Sequence, residues 1–581
     1  MRLFTKSQPK LMSKKYFSML LGGTLTMMVA SVMLMSDSFI AGAVIGSDAV
    51  AGITLVTPLY SVAVFFGSII SIGIPLLYST EMGKFNKKRA DQIFGFGFLM
   101  SIIVGVVLFI LIALFGDVYL RSYNPTDEVL TQARGYLFWM QFAILVSPFQ
   151  MFISSTVYGD GDETISTIAT GAQGLGNIAL SIILCPIMGI LGIGLPSFLF
   201  NVVSILILFA HFAKKSNSLR WNLYFSFGIM KDVIRYSIID SSSYLFLAIF
   251  TAALNAFISA QFGAEYLILA SAVTLCREFQ LVFDGIGQAV GPIFGVYVGE
   301  QNHSGLRSSF SLANKTAIIE GIAVTLLLIV IAPFAPGFLN VADPILAGWV
   351  VTGVRLTALG SVFISIVYLL TSYYLVIEQI TLGLVACALR DVVLSVGFAV
   401  GLGSFFGILG MFIGLAAAPA VGYALLMFYL VVRYGKKECP LLLSKVPGGE
   451  NSYLFNLSTN PEEIIDTQRK VELLLKEHNT DKQTIGYVML LIEEMYTIIR
   501  QTNDNKAILA ECTVIIKPDG VQIISKDDGV SFDMADDDVI STSLAGYTLS
   551  AFLEEKDYDN RHLTTISFNR SSLFVKAIPH N

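Results

Sequence analysis

Apolar residues fill most of the first 435 positions in long blocks, and polar residues gather in short breaks between them. A helix that crosses a bilayer needs about 20 mostly apolar residues. Cut at the polar breaks, the blocks predict twelve spans, at 16–46, 52–82, 90–116, 133–158, 164–187, 189–213, 230–262, 267–299, 309–333, 345–377, 383–406 and 408–433. The longer ones must tilt, bend or project from the hydrocarbon. After Pro440 the pattern changes. Helical spacing returns over 462–478 and 482–503. Two runs rich in Val and Ile, 508–517 and 521–526, flank Pro518-Asp519-Gly520 and predict a hairpin. A further helix near 545–555 and strands at 562–569 and 573–578 complete a small two-layer α/β unit.

The apolar part repeats itself. Gly189-Ile190-Leu191-Gly192 returns as Gly407-Ile408-Leu409-Gly410, and Gly83-Lys84-Phe85-Asn86 is echoed by Gly299-Glu300-Gln301-Asn302. Both offsets are about half the apolar length, so one six-span unit occurs twice. Duplicated helix bundles are a common build for secondary transporters, with the substrate path between the halves. The expected fold class is an all-α polytopic membrane protein of twelve helices in two pseudo-symmetric lobes, followed by a C-terminal cytosolic two-layer α/β domain.

Composition agrees with two kinds of environment. Mean hydropathy is +0.70 and only 14% of residues are charged, against about 25% in soluble proteins. Net charge is +3 through residue 450 and −9 beyond it. An acidic tail domain of this kind argues against a nucleic-acid-binding role for it. The five cysteines form no C-x-x-C pair, so neither a disulfide framework nor a zinc site is indicated. Cations concentrate in the N-terminal arm (Arg2, Lys6, Lys10, Lys14, Lys15), after the second span (Lys84, Lys87, Lys88, Arg89), between the halves (Lys214, Lys215, Arg220, Lys231) and after the twelfth span (Arg433, Lys436, Lys437). The positive-inside rule then puts both termini in the cytoplasm of a cell-membrane protein.

Among intramembrane charges Asp37 stands out, because Ser36-Asp37-Ser38 lies deep inside the first apolar block. A carboxylate there tends to take up a proton or hold a cation. Asp240, Arg277, Glu278 and Arg390 are further candidates, for a pocket or for anchoring helices. Arg277 and Asp284, seven apart, are expected on one helix face, where they would neutralise one another.

Asp37-Ser38-Phe39-Ile40-Ala41-Gly42, the Gly83…Asn86 and Gly299…Asn302 turns, Tyr158-Gly159-Asp160-Gly161-Asp162, Asn177-Ile178-Ala179-Leu180 and Leu389-Arg390-Asp391 occur in an order that resembles the MATE (multidrug and toxic compound extrusion) family over residues 15–435. The resemblance implies a central cavity and export of organic, cationic or amphipathic compounds in exchange for protons or sodium. It also implies an N-lobe cation site, with Asp37 and Asn177 in matching positions and Ser197 as its hydroxyl. Ser181 stands where the family has a second carboxylate, which favours the proton over sodium. Asn255 occupies the repeat position of Asp37, so the second lobe lacks an equivalent acid.

In the tail, Leu491-Ile492-Glu493-Glu494-Met495, Asp527-Asp528-Gly529 with Phe532, and Ala545-Gly546 resemble the ATP-binding fold of histidine kinases and, more closely, anti-sigma-factor kinases. The resemblance gives Asp527 and Gly529 an adenine contact and Glu493 the role of base. Thr497 replaces the Mg²⁺-binding Asn, and Gly546 is what remains of the phosphate-loop glycines. ATP binding is therefore expected to be weak at best and phosphoryl transfer absent, with a cytosolic protein as the alternative partner.

The expected organisation is a basic arm at 1–15, an N-lobe at 16–213, a linker at 214–229, a C-lobe at 230–435, a second linker at 436–457, and the degenerate kinase-like domain at 458–581. The expected function is cation-coupled efflux of a small molecule with a regulatory domain, and no cofactor is required. The alternatives are a lipid-linked or polysaccharide flippase, and a membrane sensor whose soluble domain sequesters a regulator.

Overall fold

The computed structural model describes residues 10–83, 86–160, 162–214, 217–446, 451–532, 558–563 and 568–576. The first half of the bundle comprises α1 (Lys10–Val44), α2 (Ser47–Gly83), α3 (Lys87–Arg121), α4 (Asp127–Gly159), α5 (Glu163–Met188) and α6 (Leu191–Phe209). An extended segment leads to α7 (Phe227–Gln261), then to α8 (Leu267–Gln280) and α9 (Asp284–Gly299), which one 3₁₀ turn joins end to end. Next come α10 (His303–Ile331), the short α11 (Ala335–Phe338), and α12 (Pro344–Leu359) with α13 (Ser361–Val376), a pair bent by 43°. A π turn at Leu389–Val393 separates α14 (Ile380–Ala388) from α15 (Leu394–Tyr434).

Among the described residues nine helices are long and apolar enough to cross a membrane, and the bent α12–α13 pair makes ten. The expected number was twelve. The 35-residue α1 is not in that count, and Ile380–Tyr434 enters it as one 55-residue helix although its backbone breaks at Gly407.

The sequence repeat is also a repeat of backbone geometry. Gly189 has φ 62° and ψ −141°, and Gly407 has φ 67° and ψ −152°. That region is open essentially to glycine alone, so both copies of the tetrapeptide open with the same glycine-dependent turn. The side chain of Asn86 caps α3 through the Arg89 amide, and that of Asn302 caps α10 through the Gly305 amide.

The C-terminal domain is a five-stranded antiparallel sheet in the order β1-β2-β3-β5-β4. Its strands are β1 (Ser452–Ser458), β2 (Leu509–Lys517), β3 (Gly520–Asp527), β4 (Tyr558–Leu563) and β5 (Phe568–Lys576). The amphipathic helices α16 (Pro461–Glu477) and α17 (Lys482–Thr502) cover one face, where Val471, Ile492 and Met495 meet Cys512, Val514 and Ile523. Two expectations need correction. Of the linker expected at 436–457, Leu442, Leu443 and Val446 pack into the bundle, and 452–457 belong to β1, which pairs with β2, Phe455 facing Cys512. The last strands fall at 558–563 and 568–576, not at 562–569 and 573–578. The helix expected near 545–555 lies outside the described residues.

The other face of the sheet meets the bundle. Lys526 Nζ is 2.8 Å from Glu300 Oε2, in the turn between α9 and α10, and 2.9 Å from Glu511 Oε2. The Tyr297 hydroxyl donates to Glu511 at 2.7 Å, Asn302 Nδ2 donates to Thr513 at 3.0 Å, and Arg570 Nε lies 3.2 Å from Glu300. Burial alone would lower the Lys526 pKa, but Glu300 and Glu511 outweigh it and hold the ammonium above its ordinary value. Burial pushes the Glu511 carboxyl up, with Lys526 opposing. Buried charges persist only when paired in this way. At the repeat position of Glu300 the first half has Lys84, a cation that could not accept Lys526.

Candidate functional site

Asp37 sits in α1 with 9% of its surface exposed. The Tyr136 hydroxyl, from α4, donates to its Oδ2 at 2.7 Å, and its Oδ1 has no hydrogen-bond partner among the described residues. The carboxylate lines a cavity of about 110 Å³ together with Tyr60, Asn177, Ser197 and Glu278. Asn177 Nδ2 donates to Ser197 Oγ at 3.3 Å, and Ser181 donates to Asn177 Oδ1 at 3.2 Å. Ser181 is buried behind Asn177 and orients its amide.

The structure thus brings Asp37, Asn177 and Ser197 to one cavity, with Ser181 in support. It also adds residues that sequence reasoning missed. Gln173 donates to Asn201 at 3.0 Å, and both line the same space. A signal for them existed: Gln173, Asn177 and Ser181 are spaced four apart in an apolar helix, as are Ser197 and Asn201. Residues four apart share a helix face. Tyr60 and Tyr136 carried no such signal. A buried carboxylate with one free oxygen among amides and hydroxyls can take up a proton or a small cation.

Asn255 has a different role. It is fully buried in α7, and its Nδ2 donates to the Thr54 carbonyl at 3.3 Å. Pro58 of α2 has no N–H to give that carbonyl, four residues before it. The repeat counterpart of Asp37 therefore satisfies a proline-freed carbonyl across the two halves.

Arg277 and Asp284 do not form the expected pair. The 3₁₀ turn at Leu281–Phe283 interrupts the helix between them, so the seven-residue spacing no longer sets one face. Arg277 donates to Ser395 at 2.8 Å and lies over the Phe250 ring, while Asp284 accepts from Gln288 at 3.3 Å. Arg390 is buried in the π turn, bonded to its neighbour Asp391 at 2.7 and 2.5 Å and stacked 3.7 Å from the Tyr368 ring centroid. The Asp240 side chain lies outside the described ones. A larger cavity, about 360 Å³, opens between the halves and is lined by Met27, Ser31, Tyr244, Asp284, Tyr368 and Arg390, among others.

In the C-terminal domain Asp527 is 2% exposed, and its Oδ1 accepts from Asn569 at 2.9 Å and from the Gly529 amide at 3.0 Å. Asn503 approaches Gly529 so closely that a Cβ there would meet its amide. Glu493 is exposed and accepts from Gln468 at 3.2 Å. Thr497 is half-buried one turn further along α17, and Phe532 packs against the domain core. Gly546 lies outside the described residues.

Residues 24–185, running from α1 to the end of α5, match the MatE family model. Among solved structures the fold is similar to the inward-facing conformation of a multidrug resistance MATE family transporter of the MOP superfamily. That match has a TM-score of 0.61 at 20% identity and covers 69% of this chain and 95% of the other. An outward-facing conformation of such a transporter gives 0.57 at 20%, covering 74% and 99%. The MATE multidrug transporter DinF-BH, solved as a complex, gives 0.59 at 20%, again covering 74% and 99%. No curated protein sequence matched the chain. The helical bundle of this chain has the fold of the MATE transporters, and its first five helices carry the MatE family pattern.

Proposed function

We propose that this chain is a MATE-type exporter of the cell membrane, driven by cation entry, with the proton as coupling ion in preference to sodium. Counting α1, dividing α15 at Gly407, and taking α8–α9, α12–α13 and α14 with the first part of α15 as single spans gives twelve spans in two six-helix lobes. The cation-rich turns then face the cytoplasm, and the C-terminal domain with them.

The observation that carries the reading is Asp37 itself, a buried carboxylate with an unpartnered oxygen at a cavity lined by Asn177 and Ser197. Its proton or cation would be released when the cavity changes access. The larger inter-lobe cavity is the candidate substrate space. Its Asp284 carboxylate beside tyrosine and methionine side chains, with Arg390 already paired to Asp391, suits an organic cation or an amphipathic molecule. The C-terminal domain acts as a docked regulator that needs no cofactor. Its adenine-position carboxylate is bonded within its own domain, and Thr497 offers a poor Mg²⁺ site.

Purified protein in liposomes with an internal pH dye tests this. A transported organic cation should dissipate an imposed proton gradient with or without sodium, and Asp37→Asn should abolish that response. Substrate flux that is unchanged in Asp37→Asn would remove Asp37 from coupling.

A further inference from the structure

The cavity beside Asp37 belongs to the N-lobe with one exception. Asp37 comes from α1, Tyr60 from α2, Tyr136 from α4, Asn177 from α5 and Ser197 from α6, but Glu278 comes from α8 of the C-lobe. Glu278 is 8% exposed. Its neighbour Arg277 is engaged elsewhere, by Ser395 and Phe250, and so does not neutralise it. The charged and titratable groups facing the cavity are thus Asp37, Glu278 and the two phenols.

We propose that the coupling site is shared between the lobes, with Glu278 as its second carboxylate in place of the one that Ser181 lacks. This rests on the reading of the Asp37 cavity as the coupling site and deepens it. Two carboxylates at one buried space of about 110 Å³ do not both stay ionised unless a proton or a cation sits between them. The free Oδ1 of Asp37 is the acceptor on the N-lobe side. An occupant held by both groups ties α1 to α8 and favours the arrangement in which the lobes meet at this level. Its departure leaves like charges opposed across the lobe boundary and favours separation. Occupancy and lobe arrangement are then one coupled equilibrium, and each must shift the other by the same factor.

The test reads lobe separation directly. Spin labels go on Ser122→Cys, after α3, and Gly348→Cys, in α12, both exposed. Four native cysteines are buried, and Cys439 is changed to Ser. Distance distributions are recorded in liposomes at about pH 5.5 and about pH 8.5, with and without sodium. The expected result is a population shift with pH in the otherwise wild-type chain, lost in both Asp37→Asn and Glu278→Gln and regained with a displaced midpoint in Glu278→Asp. Regain in the shorter acid is what a purely packing role would not produce. A full shift in Glu278→Gln, with loss in Asp37→Asn, overturns the shared site and leaves the N-lobe reading standing. A shift kept by both variants, or absent from the wild-type background, overturns both.

Discussion

Thr54 Oγ1 donates to Ser271 Oγ at 2.8 Å, and the two residues are 217 positions apart, between the two offsets of the internal repeat, 216 and 218. Equivalent residues can touch only near the axis that relates the two copies. This contact joins near-equivalent stretches of the two copies, α2 and α8, about two turns of α8 before Glu278, and is where an axis relating the copies would be expected to pass. The Asn255 bond to the Thr54 carbonyl closes the same spot from α7.

Cysteines at both positions should form a bridge, because side-chain atoms already 2.8 Å apart need little movement to reach sulfur–sulfur bonding distance. Oxidation of Thr54→Cys/Ser271→Cys is expected to cross-link the chain and stop export, with recovery on reduction. Mass spectrometry of the peptides and dye efflux read the two effects. Continued export by the bridged protein would show that the lobes do not part at the axis.

Gly189→Ala and Gly407→Ala should each destabilise the protein by about 1–3 kcal/mol, the usual cost of holding a side chain in that backbone region. Among the described residues nothing stands within 4 Å of either added Cβ, so the effect comes from the backbone. Thermal unfolding in detergent should show falls of similar size, which add in the double variant because the sites are remote.

Asp162, in the turn before α5, lies 2.7 Å from Lys214 and 2.9 Å from His211. Lys214 chiefly, then His211, hold its carboxyl below the ordinary 3.8, to about 2. Because the folded value is depressed, its contribution is complete above 3.8 and is lost as pH falls towards about 2. Asp162→Asn should therefore lower the unfolding temperature near neutrality, and the gap from wild type should close across that acid window. A gap that persists at the acid end would mean the asparagine acts through packing.

Lys526→Met leaves Glu511 buried without its cation and Glu300 with Arg570 alone. Breaking such a pair costs about 3–5 kcal/mol, which should weaken the docking of the domain on the bundle. Limited proteolysis near residues 447–451 should accelerate. Glu300→Lys should do the same, and Glu300→Lys with Lys526→Glu should restore resistance.

Much of the architecture could be read from local pattern. The apolar blocks place the helices to within a few residues, Pro518-Asp519-Gly520 announces the β2–β3 hairpin, and Asp37 is conspicuous as an acid in an apolar run. The parts that could not be read depend on tertiary convergence. Tyr136 reaches Asp37, and Glu278 reaches its cavity, from distant segments, and no spacing encodes that. The Arg277–Asp284 pairing failed because a 3₁₀ turn changes the helical phase, and nothing in Leu281-Val282-Phe283 advertises one. Strand β1 was hidden by the Pro447-Gly448-Gly449 signal just before it.

The way the sheet meets the bundle bears on how such a chain can evolve. A tail tethered by a flexible linker can be swapped between transporters by a single recombination event. Here Lys526 and Glu511 on one side and Glu300 and Tyr297 on the other form one buried set, divided between segments more than two hundred residues apart. A foreign tail would arrive without the cations, Lys526 and Arg570, that face Glu300, and a foreign bundle with a lysine at that turn would repel this tail. The two parts are therefore expected to be inherited together, with a change at residue 300 or 526 tolerated best when its counterpart changes with it.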